Sequence, residues 1–343
     1  MNELTFLRDL GEALDQELSG PSPQLRHRVL TDISRQHGRA SRALRPSGAG
    51  QRLVVTGGLA VALAAALLTT SILRLFGSAP AASAQAAEIL RLAAVAAAHQ
   101  PALTARPAQF IYIKSVESAA AMTGNGSGRI TSVHLHTELF EDWNSVSGTR
   151  NGLQREQPRS PGSPGRPVGA WQTTVLPGCR HGRLNPGAVG SLPERACVPQ
   201  PGYRAGLPTT ARAMLAYLYR NSHGQNPPAV QAFFTAGDLI RQSYLHPAAL
   251  AALFAAVARV PGVSVVDYAV NAAGKRGIAV QQTYRGISEQ LIFNPRTHAF
   301  IGERQVAVSP SSGLRKGTVL DSTAILRVAV VDHAGQLPAR RGS

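Results

Sequence analysis

Only two cysteines occur in the 343 residues, Cys179 and Cys197, both in the second half of the chain. That excludes a cysteine-rich scaffold and any four-cysteine zinc site. Acids are scarce too: 19 Asp and Glu face 35 Lys and Arg, a net charge of +16. Internal repeats are lacking and 44% of residues are apolar, which excludes collagen, coiled coil and wholesale disorder. No G-x-S-x-G elbow, H-E-x-x-H pair or Walker loop is present. No catalytic residue, metal or cofactor is therefore assigned, and no enzyme activity is expected. The length suffices for one or two cores of ordinary size.

What is present is one long run without charge. Leu53 to Leu73 (LVVTGGLAVALAAALLTTSIL) holds 21 uncharged residues. At about 1.5 Å per residue a helix of that length spans about 30 Å, the thickness of a bilayer's hydrocarbon core. A buried soluble helix would rarely carry such a run, so a transmembrane helix in the lipid bilayer is expected. Before it come Arg35, Arg39, Arg42, Arg45 and Arg52 with no intervening acid; after it, Arg74 and Arg91 stand against Glu88. The positive-inside rule then leaves residues 1–52 in the cytosol and residues 74–343 outside, at the cell membrane. The basic run also suits anionic headgroups. A nucleic-acid-binding arm is the rival reading, and no nucleic-acid partner is expected. Ala82-Ser83-Ala84 and Ala84-Gln85-Ala86 have the form of a cleavage site. Retention as an anchor is nevertheless expected, because the apolar run exceeds the roughly 7–15 residues of a signal peptide.

Within residues 1–52, Leu7, Leu10, Leu14 and Leu18 recur at helical spacing, and Leu25, Val29 and Ile33 repeat the pattern beyond a Ser-Gly-Pro-Ser-Pro break. Two such helices bury too little to be stable alone. Their stripes need a partner, either a protein or the membrane surface.

Beyond the span, residues 82–98 are alanine-rich and helical by propensity. Residues 109–117, 130–139 and 171–176 alternate apolar with polar and suit strands. From about Ser145 to Pro208 the chain is dense in Pro, Gly and Arg, and most of it is expected to be an irregular surface insertion. Helices are expected over 210–220, 229–244 and 247–260, each with a proline at or just before its start. Strands follow over 263–270, 277–284, 289–293, 299–308 and 319–331. The reading is α+β, with helices on one face of a largely antiparallel sheet.

Cys179 and Cys197 lie on what would be the oxidising side, so a disulfide is expected; the alternative is two free or metal-binding thiols. His134 and His136 share one face of a strand, where exposed histidines are commoner than a metal pair. Asp267, Asp321 and Asp332 read as solvated acids. Gly124 to Gly128 reads as a hairpin loop, lacking a following helix that could receive a phosphate.

Three stretches carry a family likeness: Arg241-Gln242-Ser243-Tyr244-Leu245, Val260-Pro261-Gly262-Val263 and Leu291-Ile292-Phe293-Asn294-Pro295. So does the order of arginine run, single span, Ala-Ser-Ala-Gln-Ala-Ala-Glu opening and Gln109-Phe110-Ile111-Tyr112. The chain resembles a family of single-pass actinobacterial membrane proteins often encoded beside extracytoplasmic-function sigma factors. The likeness covers most of the chain and is weakest across residues 145–207. It implies an extracytoplasmic domain similar to the lipoprotein-carrier fold, a curved antiparallel sheet covered by helices. Such a sheet's concave face would take an acyl chain or an apolar peptide, with Phe110, Tyr112, Phe254, Tyr284 and Phe293 near the cavity. One departure is clear: zinc-type anti-sigma domains carry a His followed by a Cys pair, whereas His27 and His37 have no cytosolic cysteine.

The expected organisation is a cytosolic helical segment (1–52), a transmembrane helix (53–73), and a juxtamembrane helix and linker (74–107). An α+β domain follows (108–335, with an insertion at 145–207), then a disordered tail (336–343). The expected function is an anti-sigma-factor-like sensor or regulator without catalysis. It would hold a cytosolic sigma factor through Leu7, Leu10, Leu14, Leu18, Leu25, Val29 and Ile33. The alternative is a tethered module of the cell envelope that binds lipid or an envelope lipoprotein.

Overall fold

Alternation of buried and exposed side chains builds one large sheet, and an almost wholly apolar helix lies at the centre of what covers it. The computed structural model describes residues 81–125, 129–161, 167–185, 196–310 and 313–339. The chain divides into two compact units, residues 1–76 with 223–226 and residues 77–222 with 227–343; the architecture below is that of the second. The expected span at 53–73 and the cytosolic stripe from Leu7 to Ile33 lie outside the described residues. Among the described residues, no helix is long and apolar enough to cross a membrane.

In chain order the elements are α1 (Ala84–Ala98), β1 (Phe110–Gly124), β2 (Ile130–Ser145), β3 (Gly152–Pro158), β4 (Gln172–Leu176), β5 (Cys179–Arg180), β6 (Arg183–Leu184) and β7 (Tyr203–Arg204). They continue with α2 (Ala211–Asn221), α3 (Pro228–Gln242), β8 (Tyr244–Leu245), α4 (Pro247–Val257), β9 (Ser264–Val270), β10 (Arg276–Tyr284), β11 (Ile287–Phe293), β12 (Phe300–Ala307) and β13 (Val319–Val331). Nine strands pair antiparallel in the order β4-β3-β2-β1-β13-β12-β11-β10-β9. Two meanders, β1–β4 and β9–β13, thus meet at the β1–β13 pair. Bulges at Lys114/Ser115, Gln305/Val306 and Ile292/Phe293 bend the strands, and the sheet curves. The fold is α+β, with a large curved antiparallel sheet and four helices among the described residues.

The helices start where the sequence supplies caps. Ser83 Oγ accepts from Ala86 N at α1, Thr210 Oγ1 from Ala213 N at α2, and α3 and α4 open on Pro228 and Pro247. α4 buries residues on every side, Leu253, Phe254 and Val257 among them, as a helix without a polar face must. It joins α1 and the sheet in the main core, where the Phe254 and Phe293 rings meet edge to face at 5.2 Å.

Two expectations are corrected here. Residues 145–207 are less irregular than expected: β4 forms where the alternation at 171–176 predicts a strand, and β3, expected to be loop, extends the sheet beside it and buries alternate residues along its whole length. The prolines and arginines that flank β3 mask a seven-residue alternation. Nor is residue 336 the start of a disordered tail. Trp143 Nε1 donates to Gln336 O at 2.6 Å, and Arg327 Nη2 donates to Ala339 O at 2.5 Å. The buried indole needs an acceptor, and the chain's last described residues supply it as a strap across the sheet.

Gly302 sits in β12 at a φ of +150°, where an added Cβ would lie 2.1 Å from Thr323 O in β13. Gly302→Ala is expected to destabilise the domain by more than about 1 kcal/mol, read as a lowered thermal midpoint. An unchanged midpoint would contradict the pairing of β12 with β13 at that position.

Candidate functional site

The sheet's helix-covered face is apolar at one end and acidic in the middle. Strand register sets this pattern. Glu117 (β1) lies opposite Thr323 (β13) and Glu138 (β2); Glu303 (β12) lies opposite Thr323 and Leu291; Gln305 lies opposite Glu289 and Asp321. Directly paired residues point to the same side, so acids from five strands share one face. Arg241, in the last turn of α3, comes down on them. Its Nη1 donates to Glu303 Oε1 at 2.6 Å, and its Nη2 pairs with Asp238 one turn earlier. Gly237 permits the approach: a Cβ there would stand 2.9 Å from Glu303 Oε2.

Desolvation dominates the electrostatics. Burial pulls the Arg241 guanidinium down, but Glu303, Asp238, Asp321 and Glu117 outweigh it and hold the charge firmly. Burial pushes Glu303 above the ordinary carboxylate range despite Arg241. Glu289 goes well above it, through burial first and then the nearby Glu303. Glu289 is 5% exposed, and its Oε2 is buried without a hydrogen-bond partner, an environment that favours the neutral carboxyl. Burial, reinforced by Asp142, raises Glu117 to about 8. Burial raises Asp142 to about 7, against the hydrogen bond it accepts from Gln154 Nε2 at 2.8 Å.

These raised carboxyls hold protons in the folded state at pH values where the unfolded chain has lost them. Stability therefore falls as pH rises from about 5 towards 8. The full chain is expected to unfold at a lower temperature at pH 8 than at pH 5.5, by the equivalent of about 2 kcal/mol. A midpoint that climbed steadily over that range would mean the cluster is ionised in the fold.

A cleft of about 540 Å³ opens elsewhere on the domain. Pro107 follows α1, Val146 and Ser147 follow β2, Tyr217 comes from α2, and the stretch from Tyr203 to Leu207 forms a further wall. That wall is fastened. Gly202 N donates to Ser145 O at 2.8 Å, and Tyr244 N donates to Gly202 O at 2.8 Å. At Gly148, which has a φ of +72°, a Cβ would lie 2.6 Å from the Gln200 backbone. The expected disulfide forms between Cys179 and Cys197, with Cα atoms 5.9 Å apart, and so ties this segment back to β5. Arg204 lines the cleft, and its Nε is buried with no hydrogen-bond partner.

The residues expected near a cavity are not gathered by the fold. Phe110 and Tyr112 pack with Trp143 and Val331, on the opposite face from Ile111 and Ile113, because alternate residues of β1 diverge. There the Tyr112 hydroxyl donates to Glu141 Oε1 at 2.8 Å, and burial raises its pKa. Phe254 and Phe293 lie in the helix–sheet core, and Tyr284 ends β10 beneath the Arg285 guanidinium. None of the five lines the cleft. His134 is exposed and His136 partly so; among the described residues, no group of three or more His, Cys, Asp or Glu could hold a metal. Asp267 accepts from Gln85, and Asp332 pairs with Arg106 and Gln109. Asp321, read as solvated, stands in the Arg241 cluster instead. Sequence reasoning missed Arg241, Glu117, Glu289 and Glu303, and it missed Arg204. A lone arginine in the last turn of an amphipathic helix was the available hint of the cluster.

No protein-family profile and no curated protein matches the chain. The structure of the Pseudomonas aeruginosa MucA/MucB complex is similar over 75% of this chain and 59% of that one, at 14% identity. This chain thus spans less than two thirds of that chain's length, and the TM-score of 0.25 is too low to bear on fold or function.

Proposed function

We propose that the chain is a single-pass, membrane-anchored sensor or regulator that performs no catalysis. Residues 1–45 would hold a cytosolic sigma factor, and the α+β domain would sit outside the cell membrane and take the signal. The observation that carries this reading is the order along the chain. Five arginines without an acid precede 21 uncharged residues, and a domain closed by the Cys179–Cys197 bridge follows. Arginines mark the cytosolic side, and disulfides persist on the oxidising one. The resemblance to single-pass actinobacterial proteins with a lipoprotein-carrier-like domain belongs to the same reading.

Leu10→Asp combined with Leu14→Asp tests it, since the pair places charge on the apolar stripe. The double variant is expected to lose the partner and change transcription from the promoter that partner serves. Unchanged output, with the protein present at its usual level, would sink the regulator reading. The second reading is a tethered module that binds lipid or an envelope lipoprotein. The cleft of about 540 Å³ favours it.

A further inference from the structure

We propose that this cleft is a binding site for a small amphiphile with one carboxylate, seated on Arg204. Its volume of about 540 Å³ falls within the roughly 300–1,000 Å³ of pockets that hold small organic ligands. Pro107, Val146 and Leu207 give it apolar walls, and the rings of Tyr203 and Tyr217 add flat apolar surface with hydroxyls attached. Arg204 is the one charged side chain of the lining. Its Nε is buried without an acceptor, and among the described residues no acid forms an ion pair with it. A buried donor left unpaired is unfavourable, and a planar guanidinium fits a carboxylate through two parallel hydrogen bonds. One guanidinium balances one negative charge, which favours a carboxylate over a doubly charged phosphate monoester. An apolar body fills the rest.

The wall that bears Arg204 is fixed rather than loose. Tyr203 and Arg204 pair in parallel with Tyr244 and Leu245, and the Tyr203 and Tyr244 rings stand 5.2 Å apart. The Cys179–Cys197 bridge closes the same segment a few residues upstream. The site is therefore held open before the ligand arrives, which lowers the ordering entropy that binding must overcome. It deepens the sensor reading by naming the chemical class of the signal, and rests on that reading only for its purpose.

The test is calorimetric titration of the full chain in lipid nanodiscs with octanoate, its neutral amide octanamide, and octyl phosphate. Octanoate is expected to saturate one site, with octanamide at least tenfold weaker. Arg204→Met should weaken octanoate at least tenfold while leaving octanamide unchanged, and Arg204→Lys should retain part of the preference for the acid. Thermal midpoints of the variants within a few degrees of the parent confirm that the wall still folds. Equal octanoate affinity in the parent and in Arg204→Met overturns the site. Octanamide binding as tightly as octanoate, or octyl phosphate binding more tightly, overturns the carboxylate. These outcomes are read by binding alone, so they fail separately from the sensor reading, which falls on the transcriptional result of the Leu10 and Leu14 substitutions.

Discussion

Arg241→Met is expected to destabilise the domain by about 3–5 kcal/mol, the range for removing one partner of a buried ion pair. The methionine keeps most of the arginine's apolar stem, so lost packing is the smaller effect. What remains is Glu303 with a side chain 4% exposed, beside Glu289, Glu117 and Asp321, with the cation they share removed. The effect has a pH signature. The variant suffers most at pH 8, where the orphaned carboxyls pull hardest towards ionisation, and recovers towards pH 5 as they take up protons. Glu289→Gln is the counterpart. It replaces a carboxyl that folding holds protonated with a neutral amide, so it should stabilise the fold at pH 8 and change little at pH 5. Thermal unfolding of both variants at the two pH values checks this. A loss below about 1 kcal/mol in Arg241→Met, or a loss that grows on acidification, would mean that the acids are neutralised by some other group.

Opening the disulfide is the second large effect. Cys179 and Cys197 are 18 residues apart, and closing a loop of that size contributes about 3 kcal/mol, mostly by restricting the unfolded chain. Cys179→Ala with Cys197→Ala should lower stability by that amount. Cys179 is buried, and alanine avoids placing a hydroxyl there. Part of the change should also be local. The backbone bonds from Gly202 to Ser145 and from Tyr244 to Gly202 hold the downstream end of the segment, while Cys197 N to Gly182 O holds the upstream end next to the bridge. Hydrogen exchange should therefore quicken over residues 197–201 first, with β7 following and β1 and β13 unaffected. Uniform quickening across the sheet, or none anywhere, would contradict a bridge that secures the cleft wall.

Much of the fold is legible in the chain because its signals are local. The alternation from 263 to 331 yields β9 to β13, and the prolines at 228 and 247 open α3 and α4. β3 was hidden because seven alternating residues lie among prolines, glycines and arginines that read as loop. The strap from Gln336 to Ala339 was hidden because its anchor, Trp143, lies some 190 residues upstream in sequence. The acid cluster was the least legible part. Glu117, Arg241, Glu289, Glu303 and Asp321 have no common spacing, and only the register of β1, β11, β12 and β13 under α3 assembles them. The aromatic residues expected around a cavity followed a different logic. Hydrophobicity says that Phe110 and Phe254 are buried, but not on which face of the sheet, and strand alternation separates them.

Topology is where the proposed sensor is most exposed to test. Single cysteines introduced by Ser47→Cys and by Ala273→Cys, the latter in the exposed turn between β9 and β10, can be offered a membrane-impermeant maleimide on intact cells. The native pair is already closed in its bridge and stays silent. The account predicts that the Ala273→Cys protein is labelled on intact cells and the Ser47→Cys protein only after the membrane is opened. Labelling of both, or of neither, before permeabilisation would contradict an anchored sensor with its domain outside and its apolar stripes within.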